Sequence, residues 1–212
     1  MSKSRHTIYL LRHGEVDGPA AIYGKTDVPV SHQGWQQLQR QAARLDSVTR
    51  IVTSPLRRCQ VFANDLAVSK GLPLNIESDF RECDFGKWDG VPFDDIPEGA
   101  WGEMEAFWAS PASCQFEGGE HLKDMHCRVV QAWDNLIGEL RDSTTPETVL
   151  VVAHGGVIRL LLAYILHFDW WNPAIFSQWQ IDYASLSKIT LAQFENAKPN
   201  VQYVAMPHDW EA

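Results

Sequence analysis

Ile8-Tyr9-Leu10-Leu11-Arg12-His13-Gly14 decides the fold when set beside Val149-Leu150-Val151-Val152-Ala153-His154-Gly155-Gly156. Each is an apolar run that ends in a histidine followed by glycine. Continuous apolar runs of this length read as strands buried on both faces, the pattern of a parallel sheet. Both histidines are therefore expected where a buried strand ends. In open α/β sheets that edge is where ligands bind. Two imidazoles delivered there, one beside an arginine, point to phosphate chemistry. The helix expected after Gly155-Gly156 has free N–H groups and a dipole that favour an anion, and glycine lets the backbone approach a ligand closely.

The rest of the chain alternates strand with helix. Residues 14–30 lack either period, and a loop this long in a compact domain is more often functional than filler. Ser31 caps a predicted helix to about Leu45, with Trp35, Leu38, Ala42 and Leu45 on one face. Arg50 to Thr53 reads as a short strand. Ser54-Pro55 is expected to start the next helix, the serine as cap and the proline in its first turn, with Gly71 ending it. Leu74 to Ile76 is a short strand. Residues 78–113 are irregular, with a helix near 101–109. A long helix follows Gly118-Gly119 to about Arg141. Thr148 to Ala153 is a strand, 156–166 an apolar helix, and 185–194 and 201–206 the last strands. The expected architecture is a three-layer α/β sandwich, a mostly parallel sheet with helices on both faces, in one domain over residues 1–212.

The chain carries 18 basic and 27 acidic residues, net −9. That balance argues against a nonspecific nucleic-acid binder, yet a few arginines can still make a local positive pocket. No signal-type or bilayer-length apolar run is evident; 157–168, the most apolar helix, contains Arg159. Cys59, Cys83, Cys114 and Cys127 lack CxxC spacing and read as free thiols, so a cytoplasmic location is expected. Exposed apolar surface would support a homodimer.

A lone Arg-His pair at a strand end is ordinarily a surface charge beside a hydrogen-bonded imidazole; the matching placement of His154 favours function. Arg57 and Arg58 follow another strand end, and spacing alone does not say which faces the pocket. Glu82 sits in Arg81-Glu82-Cys83-Asp84-Phe85-Gly86-Lys87-Trp88-Asp89-Gly90. A carboxylate there could be a general acid, with Asp84 and Asp89 as rivals.

Taken together these stretches resemble the histidine phosphatase superfamily, also called phosphoglycerate-mutase-like. Leu11-Arg12-His13-Gly14-Glu15 looks like its opening signature. Ser54-Pro55-Leu56-Arg57-Arg58-Cys59 is similar to the segment supplying the second arginine, which places that role on Arg58. The Glu82 segment resembles the one carrying the proton donor, and Gly118-Gly119-Glu120 and Val152-Ala153-His154-Gly155-Gly156 match later landmarks. Within the superfamily the chain looks most like α-ribazole phosphatases, whose substrate belongs to cobalamin lower-ligand assembly. Tyr23-Gly24-Lys25-Thr26-Asp27-Val28-Pro29 and Ile181-Asp182-Tyr183-Ala184-Ser185-Leu186 carry that likeness. Val16 and Pro19 stand where many members have threonine and asparagine, and His121 where serine is common.

The resemblance implies a phosphomonoesterase without cofactor or metal, acting on a small-molecule phosphate monoester, with no nucleic-acid or membrane partner. His13 is expected to become phosphohistidine. Arg12, Arg58 and a protonated His154 would surround the equatorial oxygens, and Glu82 would protonate the leaving oxygen and later activate water. Candidate substrate contacts are Tyr23, Gly24, Gly155 and Trp88. Trp88, Phe93, Trp101, Phe107 and Trp108 could cover the site and stack on a flat base. The alternatives are a broad-specificity sugar phosphatase, a phosphoglycerate mutase, or a non-catalytic phospholigand-binding protein. Metal hydrolysis through His13, His154, Asp17 and Glu82 is disfavoured by two guanidiniums in the same pocket.

Overall fold

The computed structural model describes residues 5–45 and 47–210. Among these residues the strands form one six-stranded sheet, order β3-β2-β4-β1-β5-β6. They are β1 (Arg5–Arg12), β2 (Arg50–Thr53), β3 (Leu74–Ile76), β4 (Thr148–Ala153), β5 (Leu186–Ala192) and β6 (Asn200–Met206). β3, β2, β4 and β1 pair in parallel, whereas β5 is antiparallel to both β1 and β6.

The helices that position the site are α1 (His32–Ala42), α2 (Arg57–Lys70), α3 (Trp101–Ala109), α4 (Leu122–Asp142) and α5 (Gly155–Ile165). Period-2 alternation divides β1 between two cores. Ile8 and Leu10 pack with Val129, Trp133 and Leu161 from α4 and α5. Leu11 packs with Leu38, Phe62 and Leu66 from α1 and α2. The sheet is thus sandwiched between two helical layers, and both faces of its central strands are dry, as their unbroken apolar runs require.

Two boundaries differ from expectation. α1 ends at Ala42 rather than near Leu45. α2 begins at Arg57 with Leu56 as N-cap, because the Ser54 hydroxyl is engaged elsewhere: it pairs with His154 at 2.7 Å and accepts the Leu56 N–H at 3.3 Å. Arg58 is therefore the second residue of α2. The expected Ser31 cap forms, its hydroxyl accepting Gly34 N–H at 3.0 Å. Gly71 closes α2 in the left-handed conformation, which glycine adopts without a Cβ penalty.

Candidate active site

Register builds the site. Arg12 of β1 lies opposite Ala153 of β4, so the next residues, His13 and His154, emerge side by side. His13 N–H donates to Ala153 O at 3.0 Å, and Ser54 N–H donates to Val152 O at 3.0 Å. Three neighbouring strand ends thus deliver His13, His154 and Ser54 to one edge. The imidazole centroids lie 5.3 Å apart at 61°, edge to face. Gly14 permits the turn beyond His13 to press on α1, since a Cβ there would come within 2.2 Å of Gly34 O.

Hydrogen bonding sets the two tautomers. His13 Nδ1 sits 2.8 Å from the Gly14 carbonyl. A carbonyl only accepts, so Nδ1 carries the proton and Nε2 keeps its lone pair. His154 is the reverse: Arg58 Nε–H donates to its Nδ1 at 3.2 Å, which leaves Nε2–H to donate to Ser54 Oγ. Both imidazoles are neutral. Burial, followed by the charges of Arg12 and Arg58, holds His13 well below its ordinary 6.5. Burial, then Arg58 and His13, does the same to His154. A protonated His154 is thus not what the structure contains, because the neighbouring guanidinium occupies its Nδ1.

Arg58, not the exposed Arg57, turns inward and is 0% exposed. Its guanidinium donates to the carbonyls of Thr26 (2.9 Å), Tyr23 (3.1 Å) and Gly24 (2.6 Å) as well as to His154. Asp89 fixes the same turn by accepting the N–H groups of Gly24, Lys25, Thr26 and Phe85. Gly24 is needed here for packing, since a Cβ would come within 1.8 Å of Cys83 O. It does not line the pocket. Burial and its carboxylate neighbour raise the Cys59 thiol, 3.6 Å from His154 Nε2, to about 12 despite the Arg58 charge.

A cavity of about 460 Å³ opens over this edge, a size typical of small-molecule sites. Arg12, His13, Glu82, Gly155 and Gly156 line its base. Arg58 and His154, expected to surround the phosphoryl oxygens, are fully buried beside His13 and are not among the lining residues. Arg12 donates to Ile181 O at 2.5 Å and its Cζ stands 4.1 Å above the Tyr183 ring. Its Nε is buried and, among the described residues, lacks a hydrogen-bond partner. Glu82 lines the same cavity as His13. Gly156 N–H, in the first turn of α5, donates to Glu82 Oε2 at 3.0 Å. A Cβ on Gly156 would sit 2.4 Å from Glu82 Oε1. The rivals are occupied: Asp89 by the four N–H groups, Asp84 by Gly86 N–H and Lys25.

Of the expected substrate contacts, Tyr23 and Gly155 line the cavity and Gly24 and Trp88 do not. Trp88 packs with Phe93 and Trp101 around a small core of Ile96, Met104 and Phe116, and its Nε1–H reaches Glu103 Oε2 at 3.2 Å. Phe107 and Trp108, on α3, do line it, with Phe85 and Phe176. Val16 lines the pocket, whereas the Pro19 carbonyl accepts the Tyr23 hydroxyl. His121 caps α4 by accepting Lys123 N–H at 3.0 Å, a job serine performs equally well. Asp17 is exposed and does not line the cavity. Among the described residues no group of three or more His, Cys, Asp or Glu is arranged to hold a metal. No helix among them is long and apolar enough to cross a membrane, and all four cysteines are free thiols.

Tyr183 and Arg159 are among the lining residues that the sequence did not mark. Tyr183 precedes β5, whose antiparallel pairing with β1 brings it against Arg12 and His13. Arg159 is four residues after Gly155 on α5, a spacing that places both on one helix face. A side chain at Gly155 would meet Arg159 Nη1 at 3.0 Å and Arg12 Nε at 3.5 Å. Arg159 Nε donates to Trp179 O at 2.9 Å.

The sequence profile described as "Histidine phosphatase superfamily (branch 1)" matches residues 8–203. The bifunctional protein Rv2228c of Mycobacterium tuberculosis is 30% identical over 185 residues, 85% of this chain and 49% of that protein. The chain thus spans about half the length of that relative. A probable phosphoglycerate mutase, GpmB, of Salmonella choleraesuis is 30% identical over 168 residues, 77% of this chain and 76% of its own. Among solved structures, the mycobacterial glucosyl-3-phosphoglycerate phosphatase Rv2419c with inorganic phosphate superposes with TM-score 0.78 at 25% identity, covering 97% of this chain and 100% of that one. The α-ribazole phosphatase of Shigella flexneri shares the fold, with TM-score 0.76 at 22% identity over 94% and 96% of the two chains.

Proposed function

Because the chain belongs to the histidine phosphatase superfamily, branch 1, we propose that it is a phosphomonoesterase working through phosphohistidine at His13, with α-ribazole 5′-phosphate as its substrate. The observation that carries this reading is the His13 tautomer: its Nδ1–H is held by Gly14 O, which leaves Nε2 free beside Arg12 and the first turn of α5. Neutral imidazole is the nucleophile a dianionic ester tolerates.

In the first step Nε2 forms a bond to phosphorus while the ester P–O bond breaks. The electron pair stays on the leaving oxygen, which takes the proton of Glu82. In the second step Glu82 takes a proton from water, the water oxygen bonds to phosphorus, and the N–P bond breaks to restore His13. Arg12 and the α5 N–H groups hold the phosphoryl oxygens. Arg58 contributes charge from beneath and, through His154, supports the floor on which His13 stands. The whole of 1–212 acts as one domain in this scheme.

The apolar half of the cavity supports a flat aromatic leaving group. Trp108 is 42% exposed beside Phe107, an open face on which a benzimidazole can stack. Kinetics on a panel of phosphate monoesters test this: α-ribazole 5′-phosphate is expected to exceed small aliphatic phosphates in kcat/KM by about 10-fold or more, given about 1–3 kcal/mol per stacked base. Equal efficiency would overturn it. Arg159 favours a second reading, a leaving group that carries a carboxylate. It lines the same cavity, and among the described residues no carboxylate lies within ion-pair distance of it. Under that reading phosphoglycerate and phosphoserine head the panel, and Arg159→Gln lowers their kcat/KM selectively.

A further inference from the structure

Glu82 rides on a segment with little regular structure of its own. One 3-10 turn (Ser78–Phe80) precedes it and an irregular run follows. Backbone carbonyls in such a segment need partners once they leave water. Here one side chain serves three of them. Arg128, on α4, donates to the carbonyls of Asp79 (2.6 Å), Arg81 (2.7 Å) and Glu82 (3.2 Å). Its guanidinium is gripped from the other side by both oxygens of Glu120, each at 2.7 Å. Glu120 N–H in turn donates to Asp84 O at 2.8 Å. Gly119 and, on the facing segment, Gly86 allow the close approach: a Cβ on Gly119 would lie 2.8 Å from Asp84 O, and one on Gly86 would lie 2.2 Å from Glu117 O. Gly119-Glu120 thus has a structural task, to dock the segment that bears Glu82.

Arg128 and Glu120 are nearly sealed, at 9% and 14% side-chain exposure, and neither lines the cavity. Glu82 is therefore held at two points. α4 fixes its backbone through Arg128, and α5 fixes its carboxylate through Gly156 N–H. We propose that Arg128, locked by Glu120, is a positioning residue for proton transfer: it keeps the Glu82 carboxyl in reach of the oxygen that leaves phosphorus. Lysine cannot replace it, because a point charge on a flexible stem does not span three carbonyls and a carboxylate as a planar fork does.

This inference rests on Glu82 as the acid of the first step, and leaving-group dependence separates the two claims. As the P–O bond breaks, a basic alkoxide needs the Glu82 proton, whereas p-nitrophenolate departs without it. The measurement is kcat/KM for an alkyl phosphate and for p-nitrophenyl phosphate, with thermal melting recorded for each variant. Arg128→Lys is expected to lower the alkyl phosphate value by about 10-fold or more, a displaced acid losing part of the 10²–10⁴-fold that a placed one supplies, while p-nitrophenyl phosphate changes by about twofold at most. Glu120→Gln is expected to shift the ratio in the same direction by a smaller factor. Glu82→Gln sets the ceiling. If Glu82→Gln shows no leaving-group dependence, the acid assignment fails. If it does show dependence while Arg128→Lys and Glu120→Gln lower both substrates equally or not at all, Arg128 is scaffold and the proposal is overturned. Should Arg128→Lys fail to fold, Glu120→Gln decides alone by the same ratio.

Discussion

His13 and His154 stand one step beyond a paired couple, Arg12 and Ala153, on adjacent strands; Glu82, Phe107 and Trp108 reach the same cavity from a stretch of short turns and one helix with its own small core. The first region is fixed by ladder register, which cannot slip without turning every apolar side chain of β1 and β4 out of its core. The second is fixed piecemeal, by Arg128, by Asp89, by the Gly156 N–H and by aromatic contacts such as Phe107 with Phe116 at 4.5 Å between centroids. Under the proposed scheme the contrast divides labour: the strand-end floor would supply the nucleophile and charge, and the irregular wall the proton and the fit to the leaving group. Under that scheme, variation in the wall would change substrate while the floor stays as it is.

That division can be broken, most severely at the floor. His13→Ala is expected to reduce turnover by about 10⁴-fold or more with every substrate, as losses of a nucleophile do; retention of substantial activity would remove the floor from the chemistry. Gly156→Ala couples floor to wall. Its new methyl would fall 2.4 Å from Glu82 Oε1, and relieving that overlap moves the carboxylate by about 1 Å, a misplacement that costs about 10²-fold in kcat. An unchanged kcat would show that the carboxylate need not sit there. Trp108→Ala addresses the wall alone. It is expected to raise KM for an aromatic leaving group by about 10-fold, from about 1–3 kcal/mol of stacking, with kcat for a small alkyl phosphate held. Equal changes for both would assign Trp108 to folding.

The smallest effect is a pH dependence. His13 and His154 are buried neutral, with folded values well below 6.5. Between 6.5 and those lower values the unfolded chain binds protons that the folded chain does not, so stability is full above pH 6.5 and falls as pH drops below it. Chemical denaturation at pH 7.5 and 5.5 checks this. Less loss is expected in His154→Gln than in wild type, and an equal loss would place the effect on other groups. The acid limb of kcat/KM should likewise fall well below pH 6.5, because His13 keeps its free Nε2 there.

The floor was legible in the sequence because its signal is local. Two apolar runs that end in histidine and glycine announce buried strands, and parallel neighbours bring their ends together. The wall was legible only in part. Its carboxylate and its aromatics could be named, but which aromatics face inward depends on how turns between 85 and 100 fold. Trp88 turns toward Glu103 and the small core, whereas Trp108 turns to the cavity. Tyr183 was hidden because antiparallel pairing of β5 with β1 has no mark in local pattern. Arg159 was hidden by an apolar helix in which one arginine passes for a surface residue. The neutral state of His154 follows from its burial and from the contact of Arg58 Nε with its Nδ1, neither of which spacing reveals. Ser54 read as a helix cap for the same reason: its partner, His154, is 100 residues away.

Incubation of the protein with a labelled phosphate monoester, rapid quenching in alkali to preserve N–P bonds, and peptide mapping test the central assignment most directly. The expected result is transient, acid-labile phosphate on His13 that appears within one turnover, decays to inorganic phosphate, and is absent in His13→Ala. Turnover with no labelled enzyme, or label on another residue, would contradict it.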